Sequence, residues 1–183
     1  MKENFLALDL EFDNEKIIQV GIAVGSNTED IETFKWYVNP GHPISEKIIE
    51  LTGITQEDID TKSVSLDVVA KELTEIVYKY GVFVNPVQWG GGDSYRLKNE
   101  FKENGIEFMC FGFREIDVKT LFVFIQMSRN GKRRSGLKNS MRKFNLEFKG
   151  EPHRADIDAY NTLVFYFHLL KRQSELEKLS SKK

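Results

Sequence analysis

The sequence is short of nearly every special device that stabilises or localises a protein. Its 183 residues hold one cysteine, so no internal disulfide can form. That residue, Cys110, lies among Phe108, Phe111 and Phe113, where a buried, inert thiol is expected rather than a nucleophile or metal ligand. There are only four prolines, no internal repeat and no low-complexity linker. One domain over residues 1–172 is therefore expected, followed by a polar extension at 173–183. No apolar run approaches the roughly 20 residues that a membrane span needs. The opening MKENFLALDL lacks the basic-then-apolar pattern of a secretory signal, which makes a cytoplasmic location the expectation. An excess of one charge is missing too. With 26 basic against 28 acidic residues the net charge is −2, which excludes a surface coated in positive charge but not a local anion-binding site. Basic residues do gather at Lys132, Arg133, Arg134, Lys138, Arg142 and Lys143, a stretch that reads equally as a phosphate track and as a solvated helix face.

What is present is a pattern of alternating elements. Phe5 to Phe12, Ile17 to Val24 and Thr33 to Val38 are apolar or β-branched runs separated by short polar turns, which predicts an antiparallel meander. The first run is apolar on both faces, as a central strand covered on both sides requires. A short helix is expected over Ser45 to Leu51, ended at Gly53, and a longer one over Ser65 to Tyr80. Val82 to Trp89 reads as a strand interrupted by Pro86, leading through three glycines into a helix from about Ser94 to Glu103. Further helices are expected at Val118 to Met127, Leu137 to Phe144 and Ala155 to Leu170. The fold class is α/β.

Three features carry chemistry. Asp9-Leu10-Glu11 sets two carboxylates on one face of a strand, an arrangement suited to a metal ion. Acid-x-acid pairs are common in so charged a chain. This one, however, interrupts FLALDLEF, and burying two carboxylates costs several kcal/mol each unless a cation or hydrogen bonds compensate, on the order of magnitude general for buried charge. Gly90-Gly91-Gly92-Asp93 follows a strand and opens a helix. Taken alone, Asp93 reads better as a helix N-cap than as a ligand. Third is His153-Arg154-Ala155-Asp156-Ile157-Asp158, where Pro152 holds His153 in a loop before a long helix. Asp158 shares a helix face with Ala155, Ala159 and Thr162, while Asp156 is about 200° away around the axis. Only one aspartate can reach a given site, and periodicity leaves the choice open. His42 and His168 read as structural or exposed.

Taken in order, Asp9-x-Glu11, Asp93 and His153 followed by four residues and Asp158 resemble the motif series of the DEDD exonuclease superfamily, in its histidine (DEDDh) branch with DnaQ-like and RNase T-like enzymes. HRADIDAYNT is the most specific segment, similar to the family's His-Arg-Ala-x-x-Asp-Ala, and it is this likeness that selects Asp158 over Asp156. Leu51-Thr52-Gly53-Ile54-Thr55, Ile116 to Leu121 and Gly136-Leu137-Lys138 also resemble family segments. The resemblance implies a ribonuclease-H-like fold with a mixed sheet of about five strands, the first three antiparallel. It implies two Mg2+ or Mn2+ ions held by Asp9, Glu11, Asp93 and Asp158, with His153 as general base in 3′ to 5′ hydrolysis of single-stranded RNA or DNA. Leu10, Phe12, Thr52 and Gly53 are implied to touch the terminal nucleotide. Two segments depart from the commoner pattern. Phe12 stands where many relatives have a small hydroxyl residue, and Gln88-Trp89-Gly90-Gly91-Gly92-Asp93 looks nearer the Eri-type RNA exonucleases than proofreading subunits, a mild lean to RNA. A monomer and a homodimer are both compatible with the sequence. A catalytically silent nucleic-acid-binding module of the same fold is the alternative, disfavoured because all five polar residues are present.

Overall fold

In the computed structural model, which describes residues 3–129, 131 and 134–181, the opening apolar runs form the expected meander. Strands β1 (Phe5–Asp13), β2 (Lys16–Gly25) and β3 (Glu32–Tyr37) pair antiparallel. The β1–β2 turn puts Asn14 and Glu15 at φ 46° and 67°, the left-handed geometry whose twist suits a two-residue hairpin. Two short parallel strands, β4 (Val87–Gln88) and β5 (Ile116–Asp117), join the other edge of β1, giving the order β3-β2-β1-β4-β5. This is the mixed five-strand sheet that the resemblance implies, with β1 at its centre.

Helices cover both faces. α3 (Leu66–Tyr80) and α4 (Asp93–Glu103) bury Val69, Leu73, Leu97 and Phe101 against Leu6, Leu8, Leu10, Val20 and Ile22. On the opposite face α5 (Val118–Ser128), α6 (Leu137–Arg142) and α7 (Ala155–Ser180) pack over Ala7, Ala23 and Val87. The alternation of large and small residues along β1 and β2 thus makes one face bulky and the other shallow. On the shallow face α7 lies close to the sheet.

Three elements differ from the sequence expectation. A helix α2 (Gln56–Lys62) follows α1 (Glu46–Thr52); it starts at a capping box in which Thr55 and Asp58 bond each other's backbone N–H groups. The Val82 to Trp89 strand shrinks to Val87–Gln88 plus an isolated bridge at Val82, because Pro86 has no N–H to give a ladder and offers only its carbonyl to Ile116 N, at 2.9 Å. Finally, α7 continues to Ser180, so residues 173–180 of the polar segment form exposed helical turns rather than a frayed end. Good helix formers and a Gln173–Glu177 bond at 3.0 Å sustain them. Cys110 is half-buried, its sulfur 3.5 Å from Thr74 Oγ1. Lys132 and Arg133 of the basic stretch lie outside the described residues. None of the described helices is long and apolar enough to cross a membrane.

Candidate active site

The site begins with the pleat of β1. Asp9 and Glu11 point to one side near the end of the central strand, and their ladder partners on β2 are Gly21 and Gln19. Both partners exist to receive α7. Gln19, fully buried, accepts the Ala155 N–H through Oε1 at 2.8 Å, satisfying one of the amides that a helix start leaves open. Gly21 leaves the space into which the first turn of α7 settles. A methyl group on Gly21 would fall onto the Ala155 carbonyl carbon and the Asp156 nitrogen, and 2.5 Å from the Ala155 oxygen. The two positions opposite the strand acids therefore fix the helix that carries the other half of the site.

That half is a loop tied to a helix. His153 is held at φ 63°, a conformation costly for a residue with a side chain, and its N–H donates to Asp158 Oδ2 at 2.8 Å. Asp158 consequently faces the loop and the strand acids. Asp156 turns the other way and pairs with Lys35 of β3 at 3.0 Å. Ligand atoms of Glu11, His153 and Asp158 lie within 4.8 Å of one another. The loop is anchored from behind by Asn161, which is fully buried. Its Oδ1 accepts from Lys149 N at 3.0 Å, and its Nδ2 donates to Lys149 O at 2.9 Å and Ile157 O at 2.8 Å. Replacing Asn161 with alanine removes three part-buried hydrogen bonds and is expected to cost about 3 kcal/mol, at about 1 kcal/mol per bond. A urea titration of the variant checks this, and a midpoint equal to that of the parent protein would contradict it.

Asp93 arrives differently. The N-cap of α4 is Gly92, and no side-chain cap bond is made there, so the capping reading of Asp93 is not realised. Gly90, Gly91 and Gly92 take φ values of 102°, 70° and 104°, which L side chains resist, and this is what the glycine run is for. Carboxylates hold the turn. Glu115 accepts from Gly92 N at 2.8 Å and Ser94 Oγ at 2.6 Å, and Asp117 accepts from Gly90 N at 3.0 Å. Gln88, the last residue of β4, takes the Asp93 N–H at 2.8 Å. The aspartate is thereby set at the start of α4 with its carboxylate free of capping duty.

A cavity of about 430 Å³ opens over the strand acids and the start of α7, and Asp93 is not part of its lining. Asp9, Leu10, Glu11, His153 and Asp158 line it, together with Trp89, Phe148, Lys138 and Asn139. Of the expected nucleotide contacts, Leu10 is in the lining, while Phe12, Thr52 and Gly53 are not part of it. Phe12 follows a bulge at Glu11/Phe12 and lies under the Arg96 guanidinium, 4.4 Å from its ring centre. Thr52 ends α1, its Oγ1 bonded to Ile48 O at 2.8 Å, and Gly53 makes the left-handed turn after it, its N–H bonded to Ile49 O at 2.8 Å. Gln19, Gly21, Glu115 and Asn161 were not singled out in the sequence. A glycine inside an apolar strand and a glutamine within β2's buried run were the available signals.

The acids are electrostatically frustrated. Burial, then the charges of Asp93, Asp158 and Glu11, pushes Asp9 well above the usual carboxylate range. Burial and the charges of Asp158 and Asp93 raise Glu11 to about 7, against some relief from Arg154. Burial and Glu115 raise Asp93 to about 7, and burial raises Asp158 as well, opposed by its bond to the His153 backbone. Desolvated carboxylates that repel one another, with hard oxygen donors and an adjacent imidazole, form a donor set that fits divalent cations such as Mg2+ or Mn2+.

A pH dependence follows. Glu11 and Asp93 have unfolded-state values near 4.5 and 3.8 and folded values near 7, so the unfolded chain ionises first. In chelated protein their contribution is fully held below about pH 4 and is lost as pH rises towards 7; for Glu11 this is at most about 3 kcal/mol. The melting temperature in chelator is expected to fall by roughly 5–10 °C between pH 5 and pH 7.5. Saturating Mg2+ should restore it at pH 7.5 and add little at pH 5. A melting temperature insensitive to both variables would refute the frustration.

Comparison with known proteins gives a consistent picture. The model of the RNase_T exonuclease family matches residues 6–166. A PolC-type DNA polymerase III of Listeria innocua is 28% identical over 170 residues, covering 88% of this chain and 10% of the polymerase. The 3′-5′ exonuclease DinG of Bacillus subtilis is 24% identical over 181 residues, covering 96% of this chain and 18% of that protein. The chain thus spans less than a fifth of either curated relative. Among solved structures, the nuclease domain of 3′hExo, a DEDDh family member bound to rAMP, superposes with a TM-score of 0.75 at 20% identity over 93% of each chain.

Proposed function

The chain belongs to the RNase T exonuclease family, and we propose that it is a DEDDh enzyme of that family that removes nucleotides from the 3′ ends of single-stranded nucleic acid, RNA in preference to DNA. The observation that carries the proposal is the meeting of Glu11 from β1 with His153 from the loop before α7 and Asp158 from its first turn, within 4.8 Å. No structural need explains so costly a concentration of charge.

In this reading Asp9, Glu11, Asp93 and Asp158 hold two divalent cations, Mg2+ or Mn2+. When bound, such ions lower the pKa of water and neutralise charge on a phosphodiester. The protein's own residues do the rest. His153 is exposed at the cavity and takes the proton from the attacking water as general base. Its backbone bond to Asp158 keeps imidazole and carboxylate in one frame. Arg154, bonded to Tyr37 Oη at 2.6 Å, lends positive charge to Glu11. Leu10 borders the cavity, where the terminal nucleotide sits against it. The preference for RNA is supported by the Trp89-Gly90 form of the second motif and by likeness to a nuclease domain bound to rAMP. Nucleotide release from matched RNA and DNA strands labelled at the 5′ end, with Mg2+ and with chelator, tests the whole. Metal-independent release, or none from either strand, would overturn the proposal, and faster loss from DNA would reverse the sugar preference.

A further inference from the structure

The three acids that line the cavity lie at its strand and α7 side, and among the described residues the lining has a single Lys or Arg side chain, Lys138, which comes from α6. The substrate is a polyanion, and cations bound by the acids meet the charge of the phosphate that is cut. The next phosphate along the strand has no such partner. Lys138 is exposed and forms no ion pair with a carboxylate among the described residues, so its charge is not consumed within the protein. Nor is it spent chiefly on the strand acids, since the cation acting on Glu11 is Arg154. The ammonium is held instead over the Phe148 ring, 5.5 Å from its centre, and Phe148 lines the same cavity. A ring face steadies a cation without neutralising it. Asn139, also exposed and in the lining, puts an amide donor beside it.

We propose that Lys138, aimed by Phe148, binds the phosphate next to the scissile one, on its 5′ side, and so sets how strongly the enzyme holds a strand rather than how fast it cuts. This rests on the exonuclease reading. It turns one residue of the basic stretch into a specific contact, leaving Arg142, the other cation of α6, as part of a general field.

The test is a cycle of protein and substrate changes. Lys138→Met keeps the aliphatic stem and removes the charge; an oligonucleotide with a neutral methylphosphonate at the second linkage from the 3′ end removes the proposed partner. Each change alone is expected to raise KM about tenfold with little change in kcat, and the second change is expected to add nothing to the first. Arg142→Met, which alters an α6 cation outside the lining, is expected to shift KM less than twofold. Losses that multiply, no loss on Lys138→Met, or an equal loss on Arg142→Met would each overturn the assignment. If the unmodified protein degrades no strand, the exonuclease reading fails, and the same cycle read as oligonucleotide binding in Ca2+ still decides the contact.

Discussion

Asparagine in place of Asp9 is expected to lower metal-dependent nucleotide release by at least about a thousandfold, the scale on which loss of a central electrostatic group acts. The same change is expected to raise the melting temperature of chelated protein at pH 8. The two effects have one source. Asp9 is the acid on which burial and the charges of Asp93, Asp158 and Glu11 all converge. At any pH above its unfolded value, folding must either force a proton onto this carboxyl or strip water from its charge. An amide of the same shape avoids both costs and cannot balance a divalent cation. Stability is therefore gained where function is lost, as at other sites built under strain. Glu11, raised to about 7 by burial and by Asp158 and Asp93, keeps its own strain in this variant. The stabilisation by Mg2+ expected of the parent protein should shrink in the variant, which has one anionic ligand fewer. Calorimetry with and without Mg2+, run beside an initial-rate assay, checks both halves. A variant that retains near-parent turnover, or that melts lower than the parent in chelator, would remove Asp9 from the centre of the site.

The part of this arrangement that local rules govern was legible beforehand. Alternation along FLALDLEF gave β1 and the shared face of Asp9 and Glu11, and helical spacing put Asp158 with Ala155, Ala159 and Thr162 on the face that α7 presents to the sheet. Asp93 was harder, because an aspartate at a helix start is ordinarily a cap. Only the left-handed path through Gly90, Gly91 and Gly92 shows that the cap position falls on glycine. Helix α2 goes unpredicted although Thr55 and Asp58 spell a capping box, since its seven residues carry one buried apolar side chain, Ile59, and so no helical periodicity. The supports were not legible for a different reason. Gln19 meets Ala155 across 136 positions of chain and Asn161 closes a loop from inside a helix, so neither contact leaves a periodic trace. What the sequence displays is the set of groups that do chemistry; what it hides is the set that brings them together.

Gly21 is the sharpest instance, and alanine at this position is expected to be among the most damaging single changes available to the chain. The residue has no left-handed backbone to protect, so the requirement is one of space. An added methyl would meet backbone atoms of Ala155 and Asp156 rather than the end of a flexible side chain, and 2.5 Å from the Ala155 oxygen is far inside contact distance. Neither partner can yield cheaply. β2 is buried on both faces along nearly its whole length, and Ala155 is fully buried at the start of α7 with its N–H committed to Gln19. Ordinary overpacking costs about 1–3 kcal/mol, and a clash of backbone on backbone should exceed that, at about 4 kcal/mol or more. Gly25, at the end of the same strand, is the control. A methyl there would meet Asp30 O and Ile31 at about 3.1 Å, near the edge of the sheet, and is expected to cost about 1 kcal/mol. If Gly21→Ala folds, it can do so only by lifting the first turn of α7. Asp158 and His153 would then leave Glu11, and release of nucleotides should fall at least a hundredfold, with hydrogen exchange accelerated in residues 149–162. Equal melting temperatures for Gly21→Ala and Gly25→Ala, or full activity in Gly21→Ala, would show that close approach of this helix to the sheet is not what assembles the site.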